Sequence, residues 1–93
     1  MAVASVAGPG GLSLWRFETL AEQLGAHCTG LTTLVLGSNK LAGPVGPGLA
    51  ALAAGAPKLR VLRLDRNELS GPITEAVGLM VSLTVLHLYE NQL

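Results

Sequence analysis

The chain has 93 residues, of which 49% are hydrophobic, and its six basic and six acidic side chains cancel. A chain of this length forms one domain at most, and its balanced, unclustered charges exclude the basic surface that nucleic acid or an anionic membrane would require. Its one cysteine, Cys28, excludes a disulfide within the chain.

The first nine residues do not resemble a secretory signal peptide, because they have no basic start and their apolar run ends at Gly8. The longest uncharged run, Leu41 to Pro57, contains glycine and proline throughout and does not predict a membrane-spanning helix. Together with the single cysteine, these features leave the localisation open but favour an intracellular protein.

A helix is predicted near the N-terminus, over residues 13–25. Four apolar residues recur there at helical spacing, namely Leu14, Phe17, Ala21 and Leu24. Ser13 is suited to cap the start, and Gly25 is expected to end the helix. Trp15 and Phe17 either cover an open end of the core or anchor a partner, since tryptophan is common at binding hot spots.

From residue 31 onward, one pattern of leucines and an asparagine occurs three times. The first copy is Leu31-x-x-Leu34-x-Leu36-x-x-Asn39-x-Leu41, and the other two begin at Leu59 and Leu83. The alternation in residues 34–36 predicts a short strand with one apolar face, so successive copies must stack to bury that face. A buried amide can satisfy both the donors and the acceptors of a sharply turning backbone. An internal ladder is therefore expected from Asn39, Asn67 and Asn91.

These three copies resemble the leucine-rich repeat family, over residues 31–93. The resemblance implies an α/β leucine-rich repeat solenoid, which is a right-handed β-α superhelix. Such a solenoid has a short parallel sheet on its concave face and short helices or 3₁₀ turns on its convex face. Residues 69–83 are similar to the plant-type consensus, with Thr74 where that consensus has proline. In this family the concave face usually contacts a protein or peptide.

The three copies are unequally spaced. The interval from Leu31 to Leu59 is longer, by four residues, than the interval from Leu59 to Leu83. The four extra residues correspond to about one helical turn. We therefore expect a short helix over residues 47–54, beginning at a proline, and a shorter, partly 3₁₀ or extended return over residues 74–81. The first spacing resembles the ribonuclease-inhibitor-like class and the second the plant-type class, a mixture that favours neither.

These patterns divide the chain into four parts: a degenerate N-terminal cap or partial repeat (1–30), two repeats (31–58 and 59–82) and an incomplete repeat (83–93). Shifting the first repeat back by its own length puts Val6 under Leu34 and Phe17 under Val45, and it suggests that only the helical half of the cap survives. Terminal repeats are expected to be atypical. Because the third copy stops at Leu93, we expect either a longer array or an end-to-end self-association that covers this end.

The side chains that point outward from the strands are not needed for packing. Stacking the copies places them in rows, with about 4.8 Å between neighbouring strands. Arg66 and Glu90 then become adjacent opposite charges. The predicted partner-binding residues on the concave face are Val35, Arg63, Asp65, Arg66, His87, Tyr89 and Glu90. The alternative interpretation is an ordinary solvated surface.

Catalysis is not predicted, although Ser38, Asp65 and His87 together have the composition of a catalytic triad. Ser38 and His87 would lie two strands apart, roughly 10 Å, whereas a nucleophile and its base need about 3 Å. No cofactor or metal site is expected, because His27 and Cys28 are adjacent and no second pair has a ligand spacing.

The sequence therefore predicts a non-catalytic protein–protein interaction module that recognises a protein or peptide through its concave face. The alternative is a fragment of the ectodomain of a leucine-rich repeat receptor-like kinase. Three short strands expose only about 250 Å² of concave face, whereas a stable interface takes about 800 Å² from each partner. The functional unit is therefore expected to be larger than these three repeats.

Overall fold

A computed structural model describes residues 3–5, 15–73 and 75–93. The strands are β1 (Val3–Ser5), β2 (Thr33–Val35), β3 (Ala42–Pro44), β4 (Val61–Arg63), β5 (Glu68–Ser70) and β6 (Val85–His87). The helices are α1 (Phe17–His27), α2 (Val45–Gly55) and a 3₁₀ helix at Glu75–Leu79. The result is a mixed α/β fold with parallel strands, as expected for a fold of the leucine-rich repeat type.

The main sheet has four parallel strands in the order β1-β2-β4-β6. Its register aligns Val35 with Arg63 and Arg63 with His87. This alignment confirms the row predicted from the repeat, and it puts equivalent residues of each copy side by side. The strand of each copy is therefore a neighbour of the strand in the next copy, although the full length of a repeat separates them along the chain.

The first strand, β1, corrects the expectation for the N-terminal unit. Leu34 pairs with Ala4, whereas the predicted alignment put Val6 opposite Leu34. The helices α1 and α2 do begin at the equivalent positions that this alignment predicted, Phe17 and Val45. The N-terminal unit thus keeps its strand as well as its helix, and its strand lies two residues farther from its helix than in the first repeat.

A second parallel sheet, β3 and β5, was not predicted. It follows the asparagine turn of each repeat and pairs Ala42 with Glu68, and the backbone N–H of Glu68 donates to the carbonyl of Leu41 at 2.9 Å. Isolated bridges extend the same ladder, from Arg16 to Ala42 and from Ser70 to Gln92. Glycine and proline in β3 disfavour a strand by local propensity, so neighbouring repeats rather than the segment itself stabilise this pairing.

The core is built from the leucines of the repeat. The consensus positions of the first two copies are almost completely buried: Leu31, Leu34, Leu36, Leu41, Leu59, Leu62, Leu64 and Leu69. In the third copy, Leu83, Leu86 and Leu88 are partly buried and pack against this core, and Leu93 is exposed. Burial therefore decreases from the middle of the chain toward β6.

The asparagine ladder is confirmed, with Asn67 as its most complete rung. Its Oδ1 accepts hydrogen bonds from the backbone N–H groups of Asn39 (3.1 Å) and Leu41 (2.9 Å). Its Nδ2 donates to the carbonyls of Leu36 (2.9 Å) and Leu64 (3.0 Å). One amide thus joins the turn of its own repeat to the turn of the preceding one.

Asn91 repeats the arrangement one copy later. Its Oδ1 accepts from the N–H of Leu69 at 3.0 Å, and its Nδ2 donates to the carbonyls of Leu64 at 2.9 Å and Leu88 at 3.1 Å. Leu64 and Leu69 occupy the same repeat positions as the Leu36 and Leu41 that Asn67 contacts. The ladder is therefore periodic, which is why the repeat pattern requires asparagine at this position.

The helix α1 differs from the prediction at both ends. It begins at Phe17, without a side-chain cap from Arg16, and it continues past Gly25 to His27. Ser13, the predicted cap, lies outside the described residues. Gly25 therefore lies within the helix, where it packs closely against α2: a Cβ at this position would lie 3.2 Å from the Cα of Gly55.

The helix α2 begins at Val45, two residues before the predicted start, and ends at Gly55. The 3₁₀ helix Glu75–Leu79 confirms that the second return segment is the shorter one.

Phe17 is fully buried, at a place where Gly48 has no side chain. Trp15 is partly exposed, so its role as a partner anchor stays a prediction.

We predict that Asn67→Ala destabilises the fold more than Asn91→Ala. Asn67 is buried and its loss leaves several backbone groups unpaired, each costing about 1–3 kcal/mol, whereas Asn91 is partly solvated. Urea denaturation should show a loss of about 3 kcal/mol or more for Asn67→Ala. The exposed Gln92→Ala serves as the control, and a midpoint for Asn67→Ala equal to that of Gln92→Ala would contradict the ladder's role.

A second prediction concerns the contact between α1 and α2. Gly55→Ala should destabilise the protein by about 1–3 kcal/mol, because its Cβ would overlap the backbone of Gly25. Gly78→Ala is the matched control, since a Cβ there meets nothing within 4 Å. It should be neutral or stabilising by up to about 1 kcal/mol. Thermal unfolding that ranks the two variants in the opposite order would refute this packing.

Candidate functional site

The outward side chains of β2, β4 and β6, with the turns that follow these strands, form one surface, which we call the open face. Its members are the seven predicted partner-binding residues: Val35, Arg63, Asp65, Arg66, His87, Tyr89 and Glu90. Alternation along each strand produces this surface, because Leu34 and Leu62 point into the core while Val35 and Arg63 point away from it. The six polar members lie close together on β4, β6 and their turns, and Val35 lies beside Arg63.

Asp65 is the unexpected member of the open face, because its side chain is only 3% exposed. Its Oδ1 lies 3.4 Å from Nε of Arg63, whose side chain is 40% exposed. Gly37 makes room for this carboxylate, since a Cβ at that position would lie 3.1 Å from Oδ2 of Asp65. Sequence reasoning treated Asp65 as an exposed contact and did not single out Gly37, although its place in the same row as Asp65 was the available signal.

Three polar atoms of this region are buried and have no hydrogen-bond partner among the described residues: Arg63 Nε, Asp65 Oδ1 and His87 Nδ1. Arg63 and Asp65 are held together by charge at 3.4 Å, a distance longer than a good charge-assisted hydrogen bond. Buried polar groups without partners cost free energy. These polar contacts at the centre of the open face therefore contribute little to the stability of the fold.

The outer part of the open face contains an exposed ion pair. Nε of Arg66 donates to Oε2 of Glu90 at 2.9 Å, and both side chains are more than half exposed. This hydrogen bond, with the negative charge of Glu90, raises the pKa of the Arg66 guanidinium and keeps it charged. The guanidinium lies 5.8 Å from the centre of the Tyr89 ring, which in turn lies 5.7 Å from the His87 ring.

The turns after β2, β4 and β6 each have a left-handed residue that is not glycine. Ser38, Arg66 and Glu90 occupy the same repeat position, with φ of 60°, 56° and 58°. The turn is held by backbone bonds to the next copy, such as the N–H of Ser38 to the carbonyl of Asp65 at 3.0 Å. This conformation costs an L-residue roughly 1–2 kcal/mol. Because glycine would adopt this conformation without strain, backbone stability does not explain the side chains of Arg66 and Glu90 at this position.

We therefore predict that Ser38→Gly raises the free energy of unfolding by about 0.5–1 kcal/mol, because glycine adopts positive φ without strain. Ser70→Gly in the strand β5 is the matched control and should lower it by a similar amount. Chemical denaturation of both variants measures the difference. Destabilisation by Ser38→Gly would show that the serine side chain contributes more than its backbone strain costs.

The sequence also raised a catalytic triad and a metal site as possibilities to be examined. Ser38 and His87 lie on either side of β4, since the sheet order puts that strand between β2 and β6. In the part of the chain that the structure describes, no three His, Cys, Asp or Glu side chains are grouped closely enough to hold a metal ion. Over the same residues, no helix is both long and apolar enough to cross a membrane.

Comparison with protein families finds one match. Residues 58–80 match the Leucine Rich Repeat family model. This segment contains the second copy of the pattern, from Leu59 to Leu69, and the return segment that follows it. No curated protein and no solved structure matches the chain. The match supports a leucine-rich repeat in this segment without separating the plant-type from the ribonuclease-inhibitor-like class, and repeats of this family are generally protein-interaction modules rather than enzymes.

Proposed function

We propose that this chain is a non-catalytic recognition module that binds a protein or peptide through the open face of its main sheet. The repeats coil as a solenoid, a degenerate N-terminal unit (1–30) precedes the three repeats (31–93), and the open face is the concave side. The observation that carries the proposal is the exposed polar patch of that face, where the side chain of Arg63 is 40% exposed and those of Arg66 and Glu90 are more than half exposed. The leucine-rich repeat match supports the same function class.

The chemistry of the open face suits recognition. The leucines and asparagines of the repeat are committed to the core and the ladder, whereas the outward positions are occupied by Arg63, Arg66 and Tyr89. Arginine and tyrosine are enriched at binding hot spots because they combine apolar area with directed hydrogen bonds. The left-handed position adds a further argument, since Arg66 and Glu90 lie there in a conformation that is strained for an L-residue, and such strain is typical of functional positions.

An ectodomain of a receptor-like kinase is the second candidate. The return segment at residues 69–83 favours it, because Gly71 has a positive φ and Glu75–Leu79 is 3₁₀, so this return is short and turns sharply, in line with its similarity to the plant-type consensus. Both candidates use the same binding face, so they differ in what accompanies the module and not in its mechanism. The full reading frame of the gene distinguishes them by the presence or absence of a kinase domain.

We also propose self-association through the less buried third repeat, which is distinct from binding of a partner at the open face. Leu86 and Leu88 are partly buried and Leu93 is exposed, so a second copy could pack against β6. Such packing would bury the edge of the sheet and leave the open face available. Light scattering on the full chain at several concentrations separates the two, because only self-association makes the mass depend on concentration.

Peptides selected on the full chain from a displayed random library should bind the open face. We expect Tyr89→Ala to weaken binding of a selected peptide about tenfold or more, because Tyr89 combines exposed ring area with neighbouring cationic and aromatic groups. Leu79→Ala removes comparable exposed area from the 3₁₀ helix and should have no effect. Fluorescence anisotropy measures both, and chemical shifts of the labelled protein locate the peptide. Selected peptides that map to α1 or α2 would contradict the proposed face.

A further inference from the structure

We propose that the open face selects an acidic side chain in its partner, with the carboxylate held by the guanidinium of Arg63 and flanked by Arg66 and His87. This inference rests on the proposed function and adds the chemical class of the partner. It follows from how the two carboxylates of the open face are used, from the exposure of each charged group and from the hydrogen-bonding capacity that remains.

Both carboxylates of the open face are already engaged with an arginine of this chain. Asp65 contacts Arg63, and Glu90 contacts Arg66, in each case through Nε of the guanidinium. A guanidinium has five N–H groups, and a carboxylate that approaches from the Nε side occupies two of them at most. Three donors therefore remain on each arginine, whereas much of the acceptor capacity of the carboxylates is directed inward or toward a neighbour.

At the centre of the open face, the donors of the arginine are also more exposed than the acceptors of the carboxylate. The side chain of Asp65 is 3% exposed and that of Arg63 is 40% exposed. An approaching partner meets the arginine and cannot reach the aspartate behind it. A basic partner would have to compete with Arg66 for Glu90, the one accessible carboxylate of the open face. An acidic partner meets donors that are unused.

The buried aspartate also orients the arginine. Asp65 lies against Gly37, which has no side chain to displace it. Its carboxylate lies 3.4 Å from Nε of Arg63 and attracts the guanidinium by charge. An arginine whose guanidinium is held in place loses less conformational entropy when it forms two parallel hydrogen bonds to a carboxylate. Asp65 is in this sense a positioning residue, because it acts on the partner only through Arg63.

The neighbours of Arg63 fit the same ligand. His87 is its register partner on β6, at a strand spacing of about 4.8 Å, and offers a second donor next to the guanidinium. Val35 is its register partner on β2 and provides an apolar contact for the methylene groups of an aspartate or glutamate. The four charges of Arg63, Asp65, Arg66 and Glu90 sum to zero, so selection depends on hydrogen-bond geometry at contact and not on long-range attraction.

The test uses the full chain and peptides selected from a displayed random library, synthesised with acetylated N-termini and amidated C-termini. We expect the selected sequences to share an aspartate or glutamate at one position. Replacing it by asparagine or glutamine should weaken binding about tenfold or more, as measured by fluorescence anisotropy. Binding that requires an unmodified C-terminus would assign the carboxylate to the chain end and overturn the side-chain proposal.

Protein variants test the role of Arg63. In Arg63→Gln the acidic peptide and its amide analogue should bind equally, whereas the matched control Arg60→Gln, which removes an exposed arginine next to β4, should keep the full discrimination. Arg63→Lys keeps the charge but cannot form the paired hydrogen bonds, and it should lose most of the discrimination. Full discrimination in Arg63→Gln, with a native circular dichroism spectrum, would overturn the inference.

Asp65→Asn tests the positioning role separately. It should reduce the preference for the acidic peptide while leaving the affinity for the amide analogue unchanged, an effect that general destabilisation would not produce. Peptides that bind the open face without any preference for acidic residues would overturn this inference and leave the proposed function standing. If no selected peptide maps to the open face, the proposed function fails as well.

Discussion

The amide of Asn67 is the interaction on which the rest of the structure depends. It pairs with backbone groups of Asn39, Leu41 and Leu36 in one repeat and of Leu64 in its own. These groups belong to a turn that enters the core immediately after a strand, where water is absent and unpaired polar groups are costly. Because the amide satisfies them, the chain can leave each strand sharply, and the next strand can lie beside the last.

The surface chemistry follows from that turn. Its left-handed residue is Arg66 in the second repeat and Glu90 in the third. The N–H of Arg66 donates to the carbonyl of Tyr89 at 3.0 Å and so holds the turn of the second repeat. Two arginines that lie close together in the sequence, Arg63 and Arg66, are thereby presented on one side of the sheet. A regular strand would alternate them to opposite faces. The turn is therefore part of the proposed recognition surface as well as part of the scaffold.

The structural features that could be predicted from the sequence are those that recur in each copy of the repeat. The leucine and asparagine positions recur with one internal spacing in each copy, so the strands, their rows, the ladder and the pairing of Arg66 with Glu90 could all be inferred. The strands β3 and β5 could not, because Gly43 and Pro44 have no strand propensity and only the neighbouring copy stabilises them. The continuation of α1 through Gly25 was missed for a related reason: glycine served close packing, which local patterns do not distinguish from helix termination.

The candidate site also has one feature that the sequence predicted, the common face, and one that it did not, the exposure of each side chain. Repeat alignment put Arg63, Asp65, His87 and Tyr89 on a common face but treated all of them as equally accessible. The solvent exposure of an outward side chain depends on its neighbour in the adjacent strand. Because Gly37 has no side chain, the carboxylate of Asp65 can be buried next to Arg63. A buried carboxylate with an imperfect partner adds little to stability on its own. In the proposed site its role is to orient Arg63, while Asp65 itself is only 3% exposed to a partner.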